Sequence, residues 1–599
     1  MVAGLRSCQN FVLILTVLLL TACGSEETSQ TTGNRISPTY QGPPEEAYCS
    51  DVQTFSSSVT ITGSAEFEYR DYVISGLGAV QSGSNRKPIR FAEIRVLNSS
   101  GNITQCSQTD ANGDFSFTLP INTGSYTLQV NSRGLNDNVK ATIFNRPEQN
   151  QFYSLTMSVS SASDGPVGTL VASATGDVVA GAFNILDQIV EANIYLVSTV
   201  GSGDCGSDGC TEINVAEKVS VYWQKGFNPG EYINGSPLSY YVGQGFRRLF
   251  ILGGINGDVD NTDTDHFDNT IILHEYGHFL EDVYFGTDTP GGPHNGNSLI
   301  DPRLAWSEAW SNLLQGVVRN EGNYKDTQGN VNGDTRYLIS LNFENNSSTV
   351  NDHPKAGLDN NKGYGTRGEG NFREFSVTRL LWDSVDDNND SETITGGFPE
   401  MWTSLTNSSF GWNNSRWQFR SVGAFHKIHE DRTGSTDWSV LRDIEKQAPN
   451  RKEYAQYLEV DNSCPDADYY VMLSPGIATS ATPSTDYFND HDFYHLKLDS
   501  VTSGSLTVEW TDQDGSSTTN TDLDLYVYDK DARLWNTDDR IAYTIEQNSG
   551  GPPITDSAVL ASEPAGNYLI DVFVWTGGGN PVRYGLKLNG DKLCQKDPP

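Results

Sequence analysis

Hydrophobic and polar residues along the chain follow two different periods, and the period changes twice. Between residues 59 and 131, apolar residues alternate with polar ones in short runs broken by Asn-Gly and Pro, as in VTITGSAEFEY and GDFSFTLP. This alternation predicts the half-buried strands of a β-sandwich. From residue 181 the apolar residues recur at helical spacing, as in AFNILDQIVEANIYLV, and after residue 461 the alternation returns in GSLTVEW and NYLIDVFVW. The pattern therefore predicts a helical region between two β-rich modules.

The helical region contains one segment with strong chemical potential, TIILHEYGHFLEDVYF at Thr270 to Phe285. At about 100° per residue, His274 and His278 lie one turn apart on the same face of a helix and can share one metal ion. Two imidazole nitrogens suit zinc, and Glu275 can take a proton from a zinc-activated water. This spacing is that of the zincin metallopeptidases.

Residues around the motif support a helix. Thr264 and Asp265 are suitable N-caps, and Gly286 is a suitable C-terminal stop. Gly277 costs about 1 kcal/mol relative to Ala inside a helix, so its presence predicts that some other group approaches the helix backbone closely there.

A peptidase zinc needs a third protein ligand, and Glu308 in DPRLAWSEAWSNLLQGVV is the best candidate. A carboxylate among Trp and Leu side chains needs a cation, and Asn312, one turn later, can orient a ligating histidine. Together these residues resemble the gluzincin branch of the zincins, in which a Glu on a second helix completes the site. This chain departs from the thermolysin-like pattern, because 29 residues separate His278 from Glu308 and Asn312 stands where Asp is usual. The alternative for Glu308 is an ion pair with Arg303.

His294, in the irregular segment GTDTPGGPHNGNS, is a rival ligand. A histidine there can reach the metal, contact the substrate or face solvent. We favour Glu308, because a helix fixes its side chain more firmly.

The first 22 residues carry Arg6, the apolar run FVLILTVLLL and a small-residue site, which predict a secretory signal. The ending Leu20-Thr21-Ala22-Cys23 resembles the bacterial lipoprotein box. That resemblance implies cleavage before Cys23, lipidation of its thiol, a membrane anchor, and an outer-membrane or cell-surface location. The alternative is an ordinary signal peptide with an incidental cysteine.

Charge and cysteine content fit an exported protein. A net charge of -37 argues against nucleic acid as a partner. Six cysteines remain beside Cys8 and Cys23, which favours three disulfides. The expected pairs are Cys49–Cys106, Cys205–Cys210 and Cys464–Cys594.

Two segments resemble known exported modules. The run TD-x-NG-x-F-x-F followed by GSYTLQV resembles carboxypeptidase regulatory-like modules, and NDHDFYHLKL with PAGNYLIDVFV resembles the bacterial pre-peptidase C-terminal domain, an accessory and sometimes removable β-sandwich. We therefore expect a multidomain chain with an α+β zincin-like catalytic domain flanked by β-sandwich modules. The expected divisions are a signal peptide at 1–22, a tether at 23–58, the first β-sandwich module with its linker at 59–175, the metallopeptidase domain at 176–455 and the second β-sandwich at 461–599.

Other candidates for chemistry are less defined. The acidic run VDDNNDSE offers oxygen ligands for Ca2+, although its spacing is not that of an EF-hand and a solvated turn is the simpler interpretation. The strand RRLFILGG at 247–254 is expected, by analogy with the zincins, to line the cleft as an edge for extended substrate. An oxyanion stabiliser is also needed, and the candidates are His353, Tyr364, His426 and His429.

We expect an exported, lipid-anchored zinc metallopeptidase that acts on protein or peptide substrates. His274, His278 and Glu308 hold the zinc in this interpretation, and Glu275 is the general base. One alternative is a surface binding or adhesion protein whose zincin core is catalytically silent. Another is metal-dependent hydrolysis of a non-peptide bond by the same residues.

Overall fold

A computed structural model describes most of the chain. The described residues are 37–50, 53–73, 75–79, 85–121, 124–201, 215–233, 235, 237–243, 245–294, 300–329, 336–343, 373–386, 396–407, 412, 419–438, 441, 456–473, 491–512, 521–534, 536–544, 553–576 and 582–596. The predicted signal peptide, Cys23, Cys205, Cys210, His353, Tyr364 and most of VDDNNDSE lie outside these ranges.

The first part of the chain is a set of short strands, as the alternation predicts. The strands are β1 Ser58–Glu68, β2 Tyr72–Val73, β3 Gly76–Leu77, β4 Arg86–Pro88, β5 Glu93–Leu97, β6 Ile103–Gln108, β7 Asp114–Pro120, β8 Ser125–Asn131, β9 Arg133–Leu135, β10 Lys140–Phe144, β11 Ser154–Ser160 and β12 Gly165–Ala172. Two four-stranded sheets form, one with β12, β1, β4 and β7, the other in the order β11-β8-β5-β6. Alternate residues of β7 are buried, because one face of the strand covers the core.

The central region combines a mixed sheet with helices. Its described elements are α1 Ala180–Leu196, β13 Val219–Tyr222, β14 Tyr240–Val242, β15 Arg248–Phe250, α2 Asn269–Tyr284, α3 Pro302–Arg319, β16 Asn323–Gly329, β17 Arg336–Asn342, α4 Glu374–Asp383, α5 Gly397–Thr406 and α6 Val422–Thr433. The sheet order is β14-β15-β13-β10-β9. The expectation that RRLFILGG forms a sheet edge is wrong, because β15 pairs with β14 on one side and β13 on the other.

The expected division at residue 175 does not separate two packing units. Strand β10 pairs in parallel with β13, with Ala141 opposite Val219, so strands from both sides of residue 175 share one sheet. One continuous hydrophobic core runs from Val59 to Leu441. The central helices therefore rest partly on strands that come from the first module.

Helices α2 and α3 approach each other closely at Gly277. A Cβ atom at Gly277 would lie 2.8 Å from the Ser311 Cα atom and 3.0 Å from its Oγ atom. The Trp310 Nε1 atom donates a hydrogen bond of 3.1 Å to the Gly277 carbonyl. The expectation of a close backbone approach at Gly277 is confirmed, and it sets how near α3 lies to the histidine helix.

Substituting Gly277→Ala adds a methyl group that must push the α3 backbone away, and because the atom it meets is backbone, the overpacking cost is expected to be about 2–3 kcal/mol. The gain in helix propensity, about 1 kcal/mol, offsets part of that cost, so the expected net destabilisation is about 1–2 kcal/mol. Chemical denaturation of the variant and the parent chain measures the difference. A variant as stable as the parent would show that the two helices can separate freely.

The last part of the chain is one extensively curved sheet. Its elements are β18 Gln456–Val460, α7 Asp466–Tyr469, β19 Val471–Leu473, β20 His491–Leu498, β21 Thr502–Asp512, β22 Asp522–Asp529, β23 Arg540–Tyr543, β24 Ile554–Glu563, β25 Gly566–Thr576, β26 Val582–Leu588 and β27 Asp591–Lys596. The order is β23-β22-β25-β20-β18-β27-β26-β21-β24, and β19 pairs with β26. A bridge between Thr544 and Ala558 brings the two ends of this order together, so the sheet nearly closes on itself.

This sheet docks onto the start of α3. The Arg303 guanidinium pairs with Asp301 at 2.8 Å and donates to the Lys530 and Ala532 carbonyls at 2.8 and 2.7 Å. The Leu534 amide donates to the Asp301 carboxylate at 3.1 Å. The C-terminal sheet is therefore tied to the helix that carries Glu308.

Two of the expected cysteine pairs lie within the described residues, and both are joined. The structure links Cys49 to Cys106 and Cys464 to Cys594. The second link closes a loop with a sequence separation of 130 residues and ties the start of the C-terminal sheet to its last strand.

Replacing Cys464 and Cys594 together by Ala is expected to lower the free energy of unfolding by about 2–5 kcal/mol, because the unfolded chain regains the freedom of that loop. Denaturant unfolding under non-reducing conditions measures the loss. Detection of either sulfur as a free thiol in the parent protein would contradict the pairing.

Among the described helices, none combines the length and the apolar character needed to cross a membrane.

Candidate metal centre

Helices α2 and α3 bring three donor atoms to one point. His274 Nε2 lies 3.0 Å from Glu308 Oε2 and 3.2 Å from His278 Nε2. His278 Nε2 lies 3.4 Å from the same Glu308 oxygen. All three side chains are buried. The two histidines converge because four residues make about one helical turn, and Glu308 joins them because α3 packs against α2.

The outer nitrogen of His274 is held by a chain of polar contacts. Its Nδ1 atom lies 2.9 Å from the Asn312 Oδ1 atom. The Asn312 amide nitrogen donates to Glu374 Oε1 at 2.9 Å and to Thr378 Oγ1 at 3.3 Å. Since the amide nitrogen is used in those bonds, Oδ1 must accept, and His274 Nδ1 carries the proton. The Nε2 atom of His274 therefore faces the other donors.

His278 is held in the same way. Its Nδ1 atom lies 3.1 Å from the Ser307 hydroxyl, which donates to Glu281 Oε2 at 2.5 Å. Because the hydroxyl proton goes to Glu281, the Ser307 oxygen accepts from His278 Nδ1. The Nε2 atom of His278 therefore also faces inward. Burial lowers the pKa of His278, but Glu308 and Glu281 outweigh that effect and hold the pKa well above its usual range. Glu281 follows His278 by three residues on α2, so one helix supplies both the histidine and the end of its hydrogen-bond chain.

This donor set fits a metal ion. The two Nε2 atoms face each other at 3.2 Å, a contact that is stable only when a proton or a metal ion lies between them. Burial alone would raise the pKa of Glu308, but His294, His278 and His274 hold that pKa well below its usual range. Two imidazole nitrogens, one carboxylate oxygen and partners on both outer nitrogens are the donors that a zinc site uses.

The alternative partner for Glu308 is not observed. Arg303 directs its guanidinium to Asp301 and to the C-terminal sheet. Glu308 is 1% exposed, and the basic side chains within 4.0 Å of its oxygens among the described residues are the three histidines. The geometry therefore joins Glu308 to the histidine cluster.

His294 lies beside the cluster, on the other oxygen of Glu308. Its Nε2 atom is 3.5 Å from Glu308 Oε1 and 3.8 Å from Glu374 Oε2, and its Nδ1 atom donates to the Gly292 carbonyl at 2.9 Å. Burial lowers the pKa of His294, but Glu308 and Glu374 outweigh that effect and raise it to about 9. His294 is buried, so the interpretation that it faces solvent is wrong.

The start of the histidine helix differs from the expectation. Helix α2 begins at Asn269, and neither Thr264 nor Asp265 caps it. The Thr264 hydroxyl contacts His266 Nδ1 at 2.8 Å, and the Asp265 carboxylate accepts a hydrogen bond from Ser239. The end agrees with the expectation, because α2 stops at Tyr284 and Gly286 has a φ of 73°.

Glu275 and two of the candidate oxyanion stabilisers, His426 and His429, also lie within the described residues. Glu275 is buried on α2, directly after His274. His429 contacts Ser404 Oγ at 3.1 Å and His426 contacts Glu430 at 3.0 Å, so both have partners on α5 or α6.

The sequence interpretation missed Glu374, Ser307, Glu281 and Thr378. The three-residue step from His278 to Glu281 and the position of Ser307 next to Glu308 were the available signals. The sequence contained no signal for Glu374, because only the packing of α4 on α3 brings that side chain to Asn312.

The contact with Glu374 gives a reason for Asn at position 312. An Asp there would place a second carboxylate at the 2.9 Å contact with Glu374. Asn312→Asp is therefore expected to weaken zinc binding by about 10–100-fold, and Glu374→Gln in the same chain is expected to restore most of the loss. Competition with a zinc chelator measures both. Normal zinc affinity in Asn312→Asp alone would contradict the repulsion.

Comparison with known proteins relates two segments of the chain to described families. Residues 77–158 match the carboxypeptidase regulatory-like domain, and residues 202–415 match the Mycolysin C-terminal domain. No curated protein matches the chain. A solved structure of the pre-peptidase C-terminal domain of collagenase from Bacillus anthracis is similar at 13% identity, covers 23% of this chain and 99% of its own, and has a TM-score of 0.15.

The residues of the candidate metal centre, His274, His278 and Glu308, all fall within the second matched segment, residues 202–415. The first match agrees with the resemblance of the strand-rich N-terminal part to regulatory-like modules. The chain is multidomain with β-rich modules, and its central part is related to a peptidase family.

Proposed function

We propose that this protein is a zinc metallopeptidase of the gluzincin type, with a zincin-like α+β catalytic domain. The observation that carries the proposal is the convergence of His274 Nε2, His278 Nε2 and Glu308 Oε2 within 4.8 Å of one another, on buried helices and next to Glu275. The similarity of residues 202–415 to a peptidase family's domain supports the same class.

The chain's own residues divide the work. His274, His278 and Glu308 hold the ion, and Asn312 and Ser307 fix the orientation of the two imidazoles. A bound zinc ion supplies a Lewis acid that polarises the peptide carbonyl and lowers the pKa of a water molecule. Glu275 takes the proton from the attacking water and passes it to the leaving amine.

His294 is the best placed of the described histidines to stabilise the oxyanion. Its Nε2 atom lies 3.5 Å from Glu308 Oε1, is buried and has no hydrogen-bond partner among the described residues. A fixed hydrogen-bond donor beside the reacting carbonyl stabilises the negative charge that develops there. The two carboxylates at 3.5 and 3.8 Å fix its ring.

The location of the protein is part of the proposal. The Leu20-Thr21-Ala22-Cys23 ending supports cleavage before Cys23 and lipidation of its thiol, which would anchor the protein at the outer membrane or cell surface. Protein or peptide is the proposed substrate. For VDDNNDSE, the sequence favours a solvated acidic turn over a calcium site, and both stay predictions.

Zinc content and proteolysis of one purified sample test the function. The mature chain is expected to contain one zinc ion at the centre and to cleave an unstructured protein such as casein, and a zinc-specific chelator is expected to stop cleavage reversibly. A chain that binds zinc without cleaving peptides would favour the alternative of a catalytically silent binding protein.

A further inference from the structure

A second cluster of ionisable side chains lies at the start of α2. Carboxylate oxygens of Asp263, Asp265 and Asp326 lie within 4.8 Å of one another. Asp265 and Asp326 are each 4% exposed, whereas Asp263 is half-buried. The first two come from the loop before α2 and the third from β16, so the cluster joins two elements that are distant in the sequence.

Two buried carboxylate oxygens of this region, one of them on Asp326 of the cluster, have no hydrogen-bond partner among the residues that the structure describes. Within the described part of the chain, Asp326 Oδ1 and Asp268 Oδ1 are buried and accept no hydrogen bond. The other oxygen of each residue is occupied. Asp326 Oδ2 accepts a hydrogen bond from the side-chain amide of Gln328 at 2.6 Å. Asp268 Oδ2 accepts one from the backbone N–H of Thr327 at 2.6 Å. A residue of β16 therefore binds one oxygen of each carboxylate, and the other oxygen accepts no hydrogen bond from the described residues.

The position of Asp268 strengthens this argument. Asp268 directly precedes the first residue of α2, where an Asp side chain usually caps the helix, yet it makes no capping bond. It is fully buried and is held by Thr327 of β16 instead. A side chain that gives up its capping bond in a buried place needs another positive partner.

The described lysines and arginines do not supply that charge. None of them lies within 4.0 Å of a carboxylate oxygen of the four aspartates. Burial raises the pKa of Asp265 well above its usual range, and Asp326 and Asp268 raise it further. Four carboxylates in this arrangement must keep protons or bind a cation.

We propose that Asp263, Asp265 and Asp326, with Asp268 as an acidic neighbour, form a structural binding site for a divalent cation of the calcium class, separate from the zinc ligands. All the side-chain donors are carboxylate oxygens, which suit hard cations and not zinc. A Ca–O distance of about 2.4 Å lets oxygens of one site lie up to about 4.8 Å apart. The cation would tie β16 to the loop that leads into the histidine helix.

Calcium binding to the full mature chain tests the proposal. The chain carries Glu275→Gln to prevent self-digestion, is freed of calcium, is kept saturated with zinc, and is titrated with CaCl2 or MgCl2 in a calorimeter. We expect Ca2+ to bind and to raise Tm by at least about 3 °C at saturation. Zinc content is measured in every sample, so the result is independent of the zinc proposal.

Asp326→Asn distinguishes a cation site from an acidic cluster without a ligand. With Ca2+ present, this variant is expected to bind one Ca2+ fewer per chain and to lose the rise in Tm. Without Ca2+, its Tm is expected to equal or exceed that of the parent, because a like charge has been removed. Asp499→Asn, at a side chain that is 86% exposed, is the control and should behave as the parent.

Three results would overturn the proposal. They are a parent chain whose Tm does not respond to Ca2+, an Asp326→Asn variant that binds as many Ca2+ ions as the parent, and a site that binds Mg2+ but not Ca2+.

Discussion

Glu275→Gln is expected to lower peptide hydrolysis by about 10²–10⁴-fold while zinc content and stability stay at the level of the parent chain. The amide keeps the size of the side chain but cannot take a proton from water at neutral pH. Glu275 is not one of the three converging donors, so the metal should be retained. The measurements are kcat on an unstructured protein, zinc content by atomic absorption and Tm.

Asp282→Asn provides a matched control on the same helix. It changes a carboxylate to an amide at a residue whose Oδ2 atom accepts a hydrogen bond from Tyr241, 2.7 Å away. Since the amide oxygen can still accept that bond, activity should stay near the parent value. Turnover by Glu275→Gln within about tenfold of the parent would remove Glu275 from the role of general base.

Glu308→Ala is expected to weaken zinc binding more than about 100-fold. Loss of a residue that only hydrogen-bonds to a metal ligand typically weakens binding by about 10–100-fold, and Glu308 is itself a proposed ligand. Glu308 supplies the only carboxylate oxygen among the three converging donors of this site. Glu308 also carries a negative charge, because its pKa lies well below the usual range. That charge balances the positive charge of a metal ion in a buried centre. Chelator competition measures the zinc affinity, and activity should fall in parallel as zinc is lost.

His294→Ala is the comparison that decides between the two candidate ligands. His294 faces Glu308 Oε1 and Glu374, on the side away from the oxygen that meets His274 and His278. We expect this variant to keep zinc and to lose activity through kcat, because it removes the proposed hydrogen-bond donor to the oxyanion. The opposite pattern, with zinc kept in Glu308→Ala and lost in His294→Ala, would indicate a three-histidine site.

Local spacing was enough to predict part of the centre. His274 and His278 must lie on one face of any helix that contains them, because four residues make about one turn. Gly277 indicated the close approach of α3 through its cost inside a helix. The alternating patterns gave the strands of β7 and β8, since a strand with one buried face requires that period.

Contacts between distant segments were beyond prediction. Strand β10 belongs to the sheet of the central region because it pairs with β13, and no local pattern encodes a partner 78 residues away. Strand β15 proved to be internal for the same reason. The partners of Asn312 and His294 on Glu374 also required the packing of α4.

The sequence by itself determined the chemistry that is available: a helix with two histidines and a glutamate, a second helix with Glu308, and β-rich modules on both sides. Only the tertiary structure decided which groups meet. It placed Glu308 Oε2 rather than His294 next to the two histidines, and it brought Asp326 to Asp263 and Asp265. The physical reason is that side-chain periodicity is fixed within a turn or a strand, whereas donor sets depend on how separate elements pack and on where buried charges are compensated.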